Sequence, residues 1–571
     1  RPRGQAGQMI RGNEETFLCE LQEGKVRFMA NFQDKVVYQI YPKSFCDTNG
    51  DGLGDLPGVT AKLDYLKDLG VDYLWLTPFF PSPQHDNGYD VADYCAIDPR
   101  FGTMEDLETL VREADKRGIG LMLDMVFNHT STDHEWFQRA LAGEKKYQDY
   151  YIFKEGSPDK LPTNWVSKFG GPAWEYVPSL GKWYLHLFDV SQADLNWENP
   201  EVRAELASVL RFWKGKGIKG FRFDVVNLIS KPEVFEDDDK GDGRRFYTDG
   251  RNVHRYLQEL VAAGGIEGMI TVGEMSSTTL ENCIGYTDPA RHELTMTFSF
   301  HHLKVDYKNG DKWALMPPDH MALKNLFTLW QEGMQAGNGW NALFWCNHDQ
   351  PRAVSRFGDE GRYWKESAKM LGTATHMMRG TPYIYQGEEL GMTNCHFASI
   401  GQYRDVESLN YYQILQQQGK TPAEALEIIQ QRSRDNGRTP MQWDASAHAG
   451  FTTGEPWIGV VDNYQTINAA AEVGDPDSIY SYYKQLVALR KQHPVIQSGK
   501  IEFLDKDDPD LLAYRRWDAQ HELLVLCNLT GHDAPAALPE GWQDARVLLG
   551  NYPDAAPRAA LRPYEALVLE R

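Results

Sequence analysis

A short apolar stretch, residues 220–227, carries side chains that could do chemistry. It has the sequence GFRFDVVN, and on a strand Arg222 and Asp224 would share one face while Phe221 and Phe223 share the other. A buried aspartate beside an arginine stays ionised at neutral pH, because the positive charge lowers the pKa of the carboxyl. Such a carboxylate is what a covalent glycosidase nucleophile requires. A structural ion pair at a strand end would have the same pattern, so this stretch alone leaves both interpretations open.

Two further acids follow apolar runs in the same way. Glu274 lies in TVGEM and Asp349 lies in NHDQP, each at the end of a predicted strand. In a barrel of parallel strands, polar residues at the carboxyl ends meet on one face. Three acids at three such ends, with Arg222, His129 and His348 at equivalent depth, favour a catalytic site over three unrelated structural carboxylates.

The elements that must position these acids are alternating strands and helices. Eight short apolar runs are predicted as strands, over residues 36–41, 73–77, 120–127, 220–226, 269–275, 294–300, 341–349 and 381–386. Helical periodicity is clear between several of them, over residues 104–117, 200–216 and 322–336. This alternation predicts an α/β fold, the (β/α)8 TIM barrel.

The pattern divides the chain into four parts. Residues 1–29 form an N-terminal extension without an assigned role, and the barrel comprises residues 30–129 and 199–494. Residues 130–198 are rich in Trp, Tyr, Gly and Pro, and we expect them to form a small inserted domain that acts as a lid. Short apolar runs after the barrel predict an antiparallel β domain over residues 495–571.

Composition and charge narrow the class of protein. The 571 residues are 42% hydrophobic and 25% charged, which is typical of a globular protein. The net charge of −22 argues against nucleic acid and anionic membranes as partners. The sequence contains no apolar run long enough to span a bilayer. Scattered cysteines and the absence of a signal-peptide pattern favour a cytoplasmic protein, which we expect to be a monomer or weak oligomer.

Several segments together resemble the α-amylase family of glycoside hydrolases. They are DMVFNH at 124–129, GFRFD at 220–224, GE at 273–274 and NHD at 347–349. The segment QADLNW at 192–197 resembles the marker of the oligo-1,6-glucosidase subgroup, with Ala193 where that marker usually has proline. The resemblance runs from about residue 36 to the C-terminus and implies the same TIM-barrel fold.

The resemblance also implies a retaining mechanism that needs no catalytic cofactor. Asp224 would attack the anomeric carbon, while Glu274 would protonate the leaving oxygen and then activate water. Asp349 would hold sugar hydroxyls and help keep Glu274 protonated. The residues that the resemblance places around the sugar are Asp86, Tyr89, His129, Phe169, Arg222, His348 and Arg438.

The same resemblance describes the floor of the sugar pocket. Tyr89 would stack on the terminal glucose, and Asp86 would pair with Arg438 to close the floor and make the enzyme exo-acting. Without the family, the sequence DNGYD around these residues is simply a turn. Val225 follows the nucleophile, and valine there accompanies α-1,6 and related linkages in this subgroup.

A lysine-rich loop after the sixth predicted strand gives an indication of the substrate. FHHLKVDYKNGDKW at 300–313 and GDGRRFYTDG at 241–250 resemble loops of family members that hydrolyse trehalose 6-phosphate to glucose and glucose 6-phosphate. An acidic protein needs local cations to attract a sugar phosphate, and Lys and Arg supply them. The expected phosphate-binding residues are Lys304, Lys312, His302, Arg244 and Arg245. Two alternatives stay open. The loop could simply be solvated surface that binds no phosphate, and the enzyme could be an oligo-1,6-glucosidase, maltase or sucrose isomerase that acts on neutral sugars.

An oxygen-rich loop, DTNGDGLGD at 47–55, follows the first strand. It matches the opening of an EF-hand loop, but Gly58 at the twelfth position supplies no bidentate acid. A glycine-rich turn would have the same composition. Because related glucosidases bind a cation on this loop, we expect a structural Ca²⁺ remote from the catalytic acids. The expected ligands are Asp47, Asn49, Asp51, Leu53 and Asp55.

Overall fold

The computed structural model describes residues 32–571 in full and, before them, the backbone of two short strands. These strands, Leu18–Gln22 and Lys25–Met29, pair in antiparallel fashion. The remainder of the predicted N-terminal extension lies outside the described residues.

Eight parallel strands form the centre of the fold. In chain order they are Val37–Ile40, Tyr73–Leu76, Gly120–Met125, Gly220–Phe223, Ile270–Met275, Met296–Ser299, Ala342–Leu343 and Thr381–Tyr385. They are hydrogen-bonded in the order six, five, four, three, two, one, eight, seven. A parallel bridge between Thr297 and Asn341 joins strand six to strand seven and closes the sheet. The predicted TIM barrel is therefore confirmed.

Helices connect the barrel strands. The main ones are Leu56–Ala61, Leu63–Leu69, Met104–Asp115, Pro200–Gly215, Val253–Gly264, Leu280–Thr287, His320–Ala336, Trp364–His376 and Ile479–Gln492. Local sequence sets where they begin. Thr103 and Asp106 form a capping box at the start of Met104–Asp115, and Asn199 caps the helix that begins at Pro200.

All eight barrel strands are shorter than the sequence predicts, and strands four and seven differ most at their carboxyl ends. Strand four ends at Phe223 and strand seven spans only Ala342–Leu343, because the backbone beyond each turns out of the ladder. Val225 adopts a left-handed conformation, with φ of 35°, immediately after Asp224. The residues that leave the strands therefore form the loops that carry the candidate acids.

The insertion after strand three has its own small fold. It contains the helices Glu135–Leu141 and Lys145–Gln148 and an antiparallel sheet in the order Phe153–Glu155, Lys182–Leu185, Trp174–Val177. At its base, His129–Ser131 pairs with Gln192–Asp194, which ties both ends of the insertion together. Buried Trp165 and Trp174 share an apolar cluster with Val225, so the insertion packs against the residue after Asp224.

Two further regions complete the described chain. The helices Val406–Gln417 and Pro422–Arg432, which the sequence interpretation did not predict, follow strand eight. The C-terminal region is an antiparallel sheet in the order Lys500–Leu504, Leu511–Trp517, Glu522–Asn528, Ala566–Glu570, Arg546–Gly550, as predicted. None of the described helices is both long and apolar enough to cross a membrane.

Candidate active site

The three predicted acids lie at the carboxyl ends of barrel strands. Asp224 follows strand four, and its amide continues the ladder by donating to the Met125 carbonyl at 3.0 Å. Glu274 lies within strand five, and Asp349 lies in the loop after strand seven. Asp224 is buried, whereas Glu274 and Asp349 are partly exposed to the cleft. The closed barrel thus gathers three acids from separate parts of the sequence.

Arg222 connects the two predicted catalytic carboxylates. Its Nη1 donates to Asp224 Oδ1 at 2.6 Å and to Asp124 Oδ1 at 2.7 Å, while Nη2 donates to Glu274. The guanidinium lies 5.0 Å from the centre of the Trp75 ring and is almost fully buried. Burial acts to lower the pKa of Arg222, but the neighbouring carboxylates raise it well above its usual range. Arg222 therefore stays positively charged and pairs with three carboxyl groups at once.

The backbone after Asp224 is strained. Val225 is β-branched and buried, yet its φ of 35° lies in the left-handed region, which costs free energy for such a residue. The turn is held by Asn227, whose side chain bonds both the amide and the carbonyl of Ser276, at 2.9 Å each. The loops that carry Asp224 and Glu274 are consequently fixed to one another.

Asp349 is held by two arginines of the segment after strand eight. Its Oδ1 accepts from Arg438 Nη2 at 2.6 Å and from Arg434 Nη1 at 3.4 Å. Burial acts to raise the pKa of Asp349, but its charged surroundings lower it well below the usual value. Burial lowers the pKa of His348 to about 3, so this histidine is neutral at physiological pH.

Asp86 pairs with Arg434 rather than with the predicted Arg438. Arg434 Nη2 donates to Asp86 Oδ1 at 2.9 Å, and Gln192 donates to Oδ2 at 3.0 Å. Arg438 lies one turn later and is instead directed at Asp349, with its Nε donating to the His348 carbonyl at 2.9 Å. Burial raises the pKa of Asp86 to about 7, despite the nearby arginines. The predicted Asp86–Arg438 pair is therefore wrong, because Arg434 occupies that place; the closed floor of a sugar pocket stays a prediction.

Tyr89 and His348 form a parallel aromatic pair in the site. Their ring centres are 5.0 Å apart, with an interplanar angle of 6°. The Tyr89 hydroxyl donates to Asp124 Oδ2 at 2.9 Å, and Gln39 bonds His348 Nδ1 at 2.9 Å. Burial raises the pKa of Asp124 to about 6. Stacking of Tyr89 on a sugar stays a prediction.

His129 belongs to a buried polar network at the base of the insertion. Its Nε2 lies 3.0 Å from the Tyr89 carbonyl and 3.2 Å from Gln192 Nε2. Lys231, which the sequence interpretation missed, pairs with Asp194 at 2.7 Å. This network joins the segment that resembles the subgroup marker to the wall of the pocket.

Phe169 extends the pocket wall from the insertion. The Arg434 guanidinium lies 4.8 Å from the centre of its ring, and Phe188 packs against its edge at 5.6 Å. Phe188 in turn lies 5.2 Å from the His129 ring. The inserted domain thus places an aromatic side chain against Arg434, the arginine that pairs with Asp86.

A group of cations lies beside the loop that follows Glu274. We call Lys168, Arg244 and Lys304 the cationic rim; they come from the insertion and from the loops after strands four and six. Lys168 Nζ lies 3.3 Å from Ser276 Oγ, two residues beyond Glu274. Burial, with the charges of Arg244 and Lys304, lowers the pKa of Lys168 to about 8. The sequence interpretation named Arg244 and Lys304 but missed Lys168. The one feature of the sequence that could have indicated Lys168 is its position directly before Phe169, a predicted site residue.

Most of the predicted phosphate-binding residues have partners within the protein, and Arg244 of the cationic rim is one of them, since its Nη2 donates to Asp242 Oδ2 at 2.6 Å. Lys312 Nζ donates to Glu407 Oε2 at 2.5 Å, so its charge is partly compensated. Arg245 donates to Asp238 at 2.8 Å. His302 is buried, with Nε2 at 2.8 Å from the Phe344 carbonyl, so the prediction that it binds phosphate is not supported. The apolar residues around His302 hold it in the core, an environment that the loop sequence does not reveal.

The oxygen-rich loop folds as successive side-chain turns. Asp47 accepts from the amides of Asn49 and Gly50, Asn49 accepts from Asp51, and Asp51 accepts from Leu53, all at 2.8–2.9 Å. Asp55 instead caps the helix Leu56–Ala61. Within the described residues, no three acidic, histidine or cysteine side chains are grouped to hold a metal. Both carboxylate oxygens of Asp47 already accept two bonds each, whereas Asn49 Oδ1 and Asp51 Oδ1 accept one each and keep further lone pairs. Oxygen donors of this kind are the ones that Ca²⁺ binds.

Comparison with known proteins agrees with this geometry. The α-amylase catalytic-domain model matches residues 39–499. The chain is 55% identical to the trehalose-6-phosphate hydrolase of Bacillus subtilis, over 93% of this chain and 97% of that protein. It is 48% identical to the oligo-1,6-glucosidase of Parageobacillus thermoglucosidasius, over 94% and 98% of the two chains.

A solved structure extends the comparison to three dimensions. The crystal structure of Bacillus licheniformis trehalose-6-phosphate hydrolase superposes with a TM-score of 0.90 at 53% sequence identity. The superposition covers 94% of this chain and 99% of the other. With the closed barrel, the acids at its strand ends and a family match over most of its length, this chain belongs to the α-amylase family of glycoside hydrolases.

Proposed function

We propose that the protein is a retaining, exo-acting glycoside hydrolase that cleaves the α-1,1 bond of trehalose 6-phosphate. The products are glucose and glucose 6-phosphate. The observation that carries the proposal is the cationic rim, which lies beside the loop that bears Glu274. In a protein with a net charge of −22, cations gathered from separate loops favour an anionic substrate. The similarity to trehalose-6-phosphate hydrolases of Bacillus subtilis and Bacillus licheniformis supports the same substrate.

The proposed chemistry has two steps. Asp224 attacks the anomeric carbon of the unphosphorylated glucose, and the bond to the leaving oxygen breaks as Glu274 gives that oxygen a proton. Glucose 6-phosphate then leaves. Glu274 next takes a proton from water, whose oxygen displaces Asp224 from the same carbon and releases glucose with its configuration retained. Arg222 keeps the nucleophile oriented and ionised, because it contacts both carboxylates.

The pocket geometry supports exo-action on one terminal glucose. Asp86, Arg434 and Asp349 lie in one charged network, so the pocket has polar groups positioned for sugar hydroxyls. Tyr89 and Phe169 supply aromatic surface near them. A floor of this kind admits one sugar, and the phosphate-bearing sugar must then lie outward, towards the cationic rim.

Lys304 is the leading phosphate ligand of the proposal. Its side chain is exposed, and its ammonium has no hydrogen-bond or ion-pair partner within residues 32–571. Lys312 ranks behind it because Glu407 already holds its ammonium. A charge-assisted bond to phosphate would give the site its preference for a phosphorylated leaving sugar.

A second candidate substrate class is the neutral α-glucosides. Val225 after the nucleophile and the similarity to an oligo-1,6-glucosidase favour it. Incubation of the enzyme with trehalose 6-phosphate, trehalose and isomaltose, followed by product analysis, separates the two. Glucose and glucose 6-phosphate from the first substrate alone would support our proposal. Rapid cleavage of isomaltose without cleavage of trehalose 6-phosphate would refute it.

We further propose a structural Ca²⁺ on the oxygen-rich loop. Asp47, Asn49 and Asp51 would supply side-chain oxygens, with Asp55 and the Leu53 carbonyl completing the set. The ion would stabilise the loop and take no part in the reaction. Catalysis itself needs no cofactor in this proposal.

We also propose that the enzyme acts in the cytoplasm as a monomer or weak oligomer, without nucleic-acid or membrane partners. Six cysteines in the described part of the chain are free thiols, which suits a reducing compartment. Light scattering coupled to size-exclusion chromatography would test the oligomeric state. A concentration-independent dimer mass would overturn this part of the proposal.

A further inference from the structure

Lys168 is held in an unusual place for a lysine. It is half-buried, and its backbone amide donates to the Leu187 carbonyl at 2.8 Å. Its Nζ lies 3.3 Å from Ser276 Oγ and 5.7 Å from the centre of the Tyr247 ring. Ser276 follows Glu274 by two residues, so the ammonium is positioned next to the loop that carries the acid/base.

The segment before Lys168 is locked to the loop after strand four. A Cβ on Gly243 would come within 2.3 Å of the Trp165 ring, so only glycine fits there. The Val166 amide donates to the Asp242 carbonyl at 3.1 Å. Lys168 and Arg244, which flank these contacts, are therefore held close together by rigid packing rather than by chance surface placement.

The charges around Lys168 do not neutralise it. Arg244 and Lys304 repel it, while Asp242 and Asp194 act in the opposite sense. Asp242 is already bound by Arg244 at 2.6 Å and Asp194 by Lys231 at 2.7 Å. Arg244 and Asp242 neutralise each other in the same ion pair, so Lys168 and Lys304 are the cations left without a counter-charge of their own, and holding them near each other costs free energy. A bound dianion would offset that cost.

We propose that Lys168 is a specificity-determining residue that donates to the substrate phosphate, so that the inserted domain itself selects the phosphorylated substrate. The inference rests on the proposed function. It adds a phosphate ligand from the insertion to those on the loops after strands four and six. Phe169, the next residue, packs on Arg434 of the sugar pocket. Consecutive residues of the insertion thus contact the sugar subsite and the phosphate subsite.

The assignment predicts a pH signature. Since the pKa of Lys168 is lowered to about 8, the free enzyme loses this charge above that pH. A sugar phosphate is already a dianion there, because its second pKa is about 6. KM for trehalose 6-phosphate should therefore rise between about pH 7 and pH 9, whereas KM for an uncharged aryl α-glucoside should not. Lys168→Arg should reduce this rise, because arginine stays charged, and a smaller rise should persist from Lys304, whose pKa burial also lowers.

Steady-state kinetics on both substrates test the assignment. Lys168→Met should raise KM for trehalose 6-phosphate roughly tenfold or more near pH 7, as expected for loss of a charged hydrogen bond, and should affect aryl-glucoside hydrolysis far less. Lys160→Met is the matched control, because it removes an exposed lysine of the same insertion. It should change neither substrate.

Two outcomes would overturn the assignment. Equal losses on both substrates would mean that Lys168 only supports Ser276 and the acid/base loop, and no loss on either would remove it from the site. Failure of the wild-type enzyme to cleave trehalose 6-phosphate would instead refute the proposed function. In that case, inhibition of aryl-glucoside hydrolysis by glucose 6-phosphate still measures Lys168, since Lys168→Met should weaken it roughly tenfold if the assignment is right.

Discussion

Replacing Arg222 tests whether one guanidinium positions both proposed catalytic carboxylates, Asp224 and Glu274, through hydrogen bonds. Its two terminal nitrogens contact Asp224 and Glu274 separately, and Nη1 also contacts Asp124. Arg222→Lys keeps the charge but offers a single ammonium, which cannot reproduce the planar fork. Arg222→Gln removes the charge. The pair of variants therefore separates the geometric contribution of the side chain from its charge.

The expected magnitudes follow from the number of charged hydrogen bonds lost. Each contributes about 1.5–3 kcal/mol. Arg222→Lys should lose one of the two contacts with catalytic carboxylates, which lowers kcat/KM for an aryl α-glucoside about ten- to a hundredfold. Arg222→Gln should lose both, or about 3–6 kcal/mol, which corresponds to about a hundred- to ten-thousandfold.

Loss of the charge also changes how stability depends on pH. Burial raises the pKa of Asp124 to about 6 even beside Arg222, and removing an adjacent arginine raises a carboxyl pKa by a further 1–3 or so. A carboxyl whose folded-state pKa is raised destabilises the fold as pH rises above its unfolded value, near about 4. Relative to wild type, Arg222→Gln should lose more thermal stability near about pH 8 than near about pH 5. Arg222→Lys should show much less of this difference.

Single-turnover kinetics and thermal unfolding across this pH range measure both effects. Arg139→Gln is a suitable control, since Arg139 forms surface ion pairs with Glu144 and Glu135 in the insertion. It should leave kcat/KM unchanged. Equal activity losses in Arg222→Lys and Arg222→Gln, with stability losses that do not vary with pH, would refute the shared-guanidinium reasoning.

Further predictions concern the acids, the phosphate and the metal. Asp224→Asn should abolish turnover without unfolding the protein, and Glu274→Gln should cripple hydrolysis of poor leaving groups yet partly spare glycosylation by an activated aryl glucoside; near-normal kcat in uncontaminated Asp224→Asn would show that the nucleophile is misassigned. Lys304→Ala should lower kcat/KM for trehalose 6-phosphate about ten- to a hundredfold and hardly affect an aryl glucoside, with a smaller loss for Lys312→Ala because Glu407 compensates its charge. High salt should weaken the binding of trehalose 6-phosphate selectively, because salt screens the attraction between the lysines and the phosphate. Equal losses of kcat/KM on both substrates in the lysine variants would show that these lysines maintain the shape of the site. EDTA should lower the melting temperature more than kcat, because a bound ion stabilises the native state by mass action; an unchanged melting temperature with no metal found by elemental analysis would reject the Ca²⁺ site.

The barrel and its acids could be predicted from the sequence for a physical reason. Apolar runs that alternate with amphipathic helices have few stable arrangements other than parallel strands around a common axis. In that arrangement the carboxyl ends of the strands all meet on one face, so Asp224 and Glu274 lie near each other and the loop after strand seven brings Asp349 to the same face. The contact between Arg222 and Asp224 is similarly local, because the two residues are neighbours on one side of the same strand.

The partners of the charged residues were decided only by the tertiary structure. Arg434 and Arg438 are four positions apart in the same segment, and which of them meets Asp86 depends on loops that lie far apart in sequence. His302 and Lys304 are two positions apart in the same loop, yet His302 is buried in the core and Lys304 is exposed. Lys168 had no sequence pattern of its own, since a lysine in a loop is ordinarily solvated. Coulomb interaction falls with distance and rises with burial, and both quantities are set by packing rather than by the order of residues.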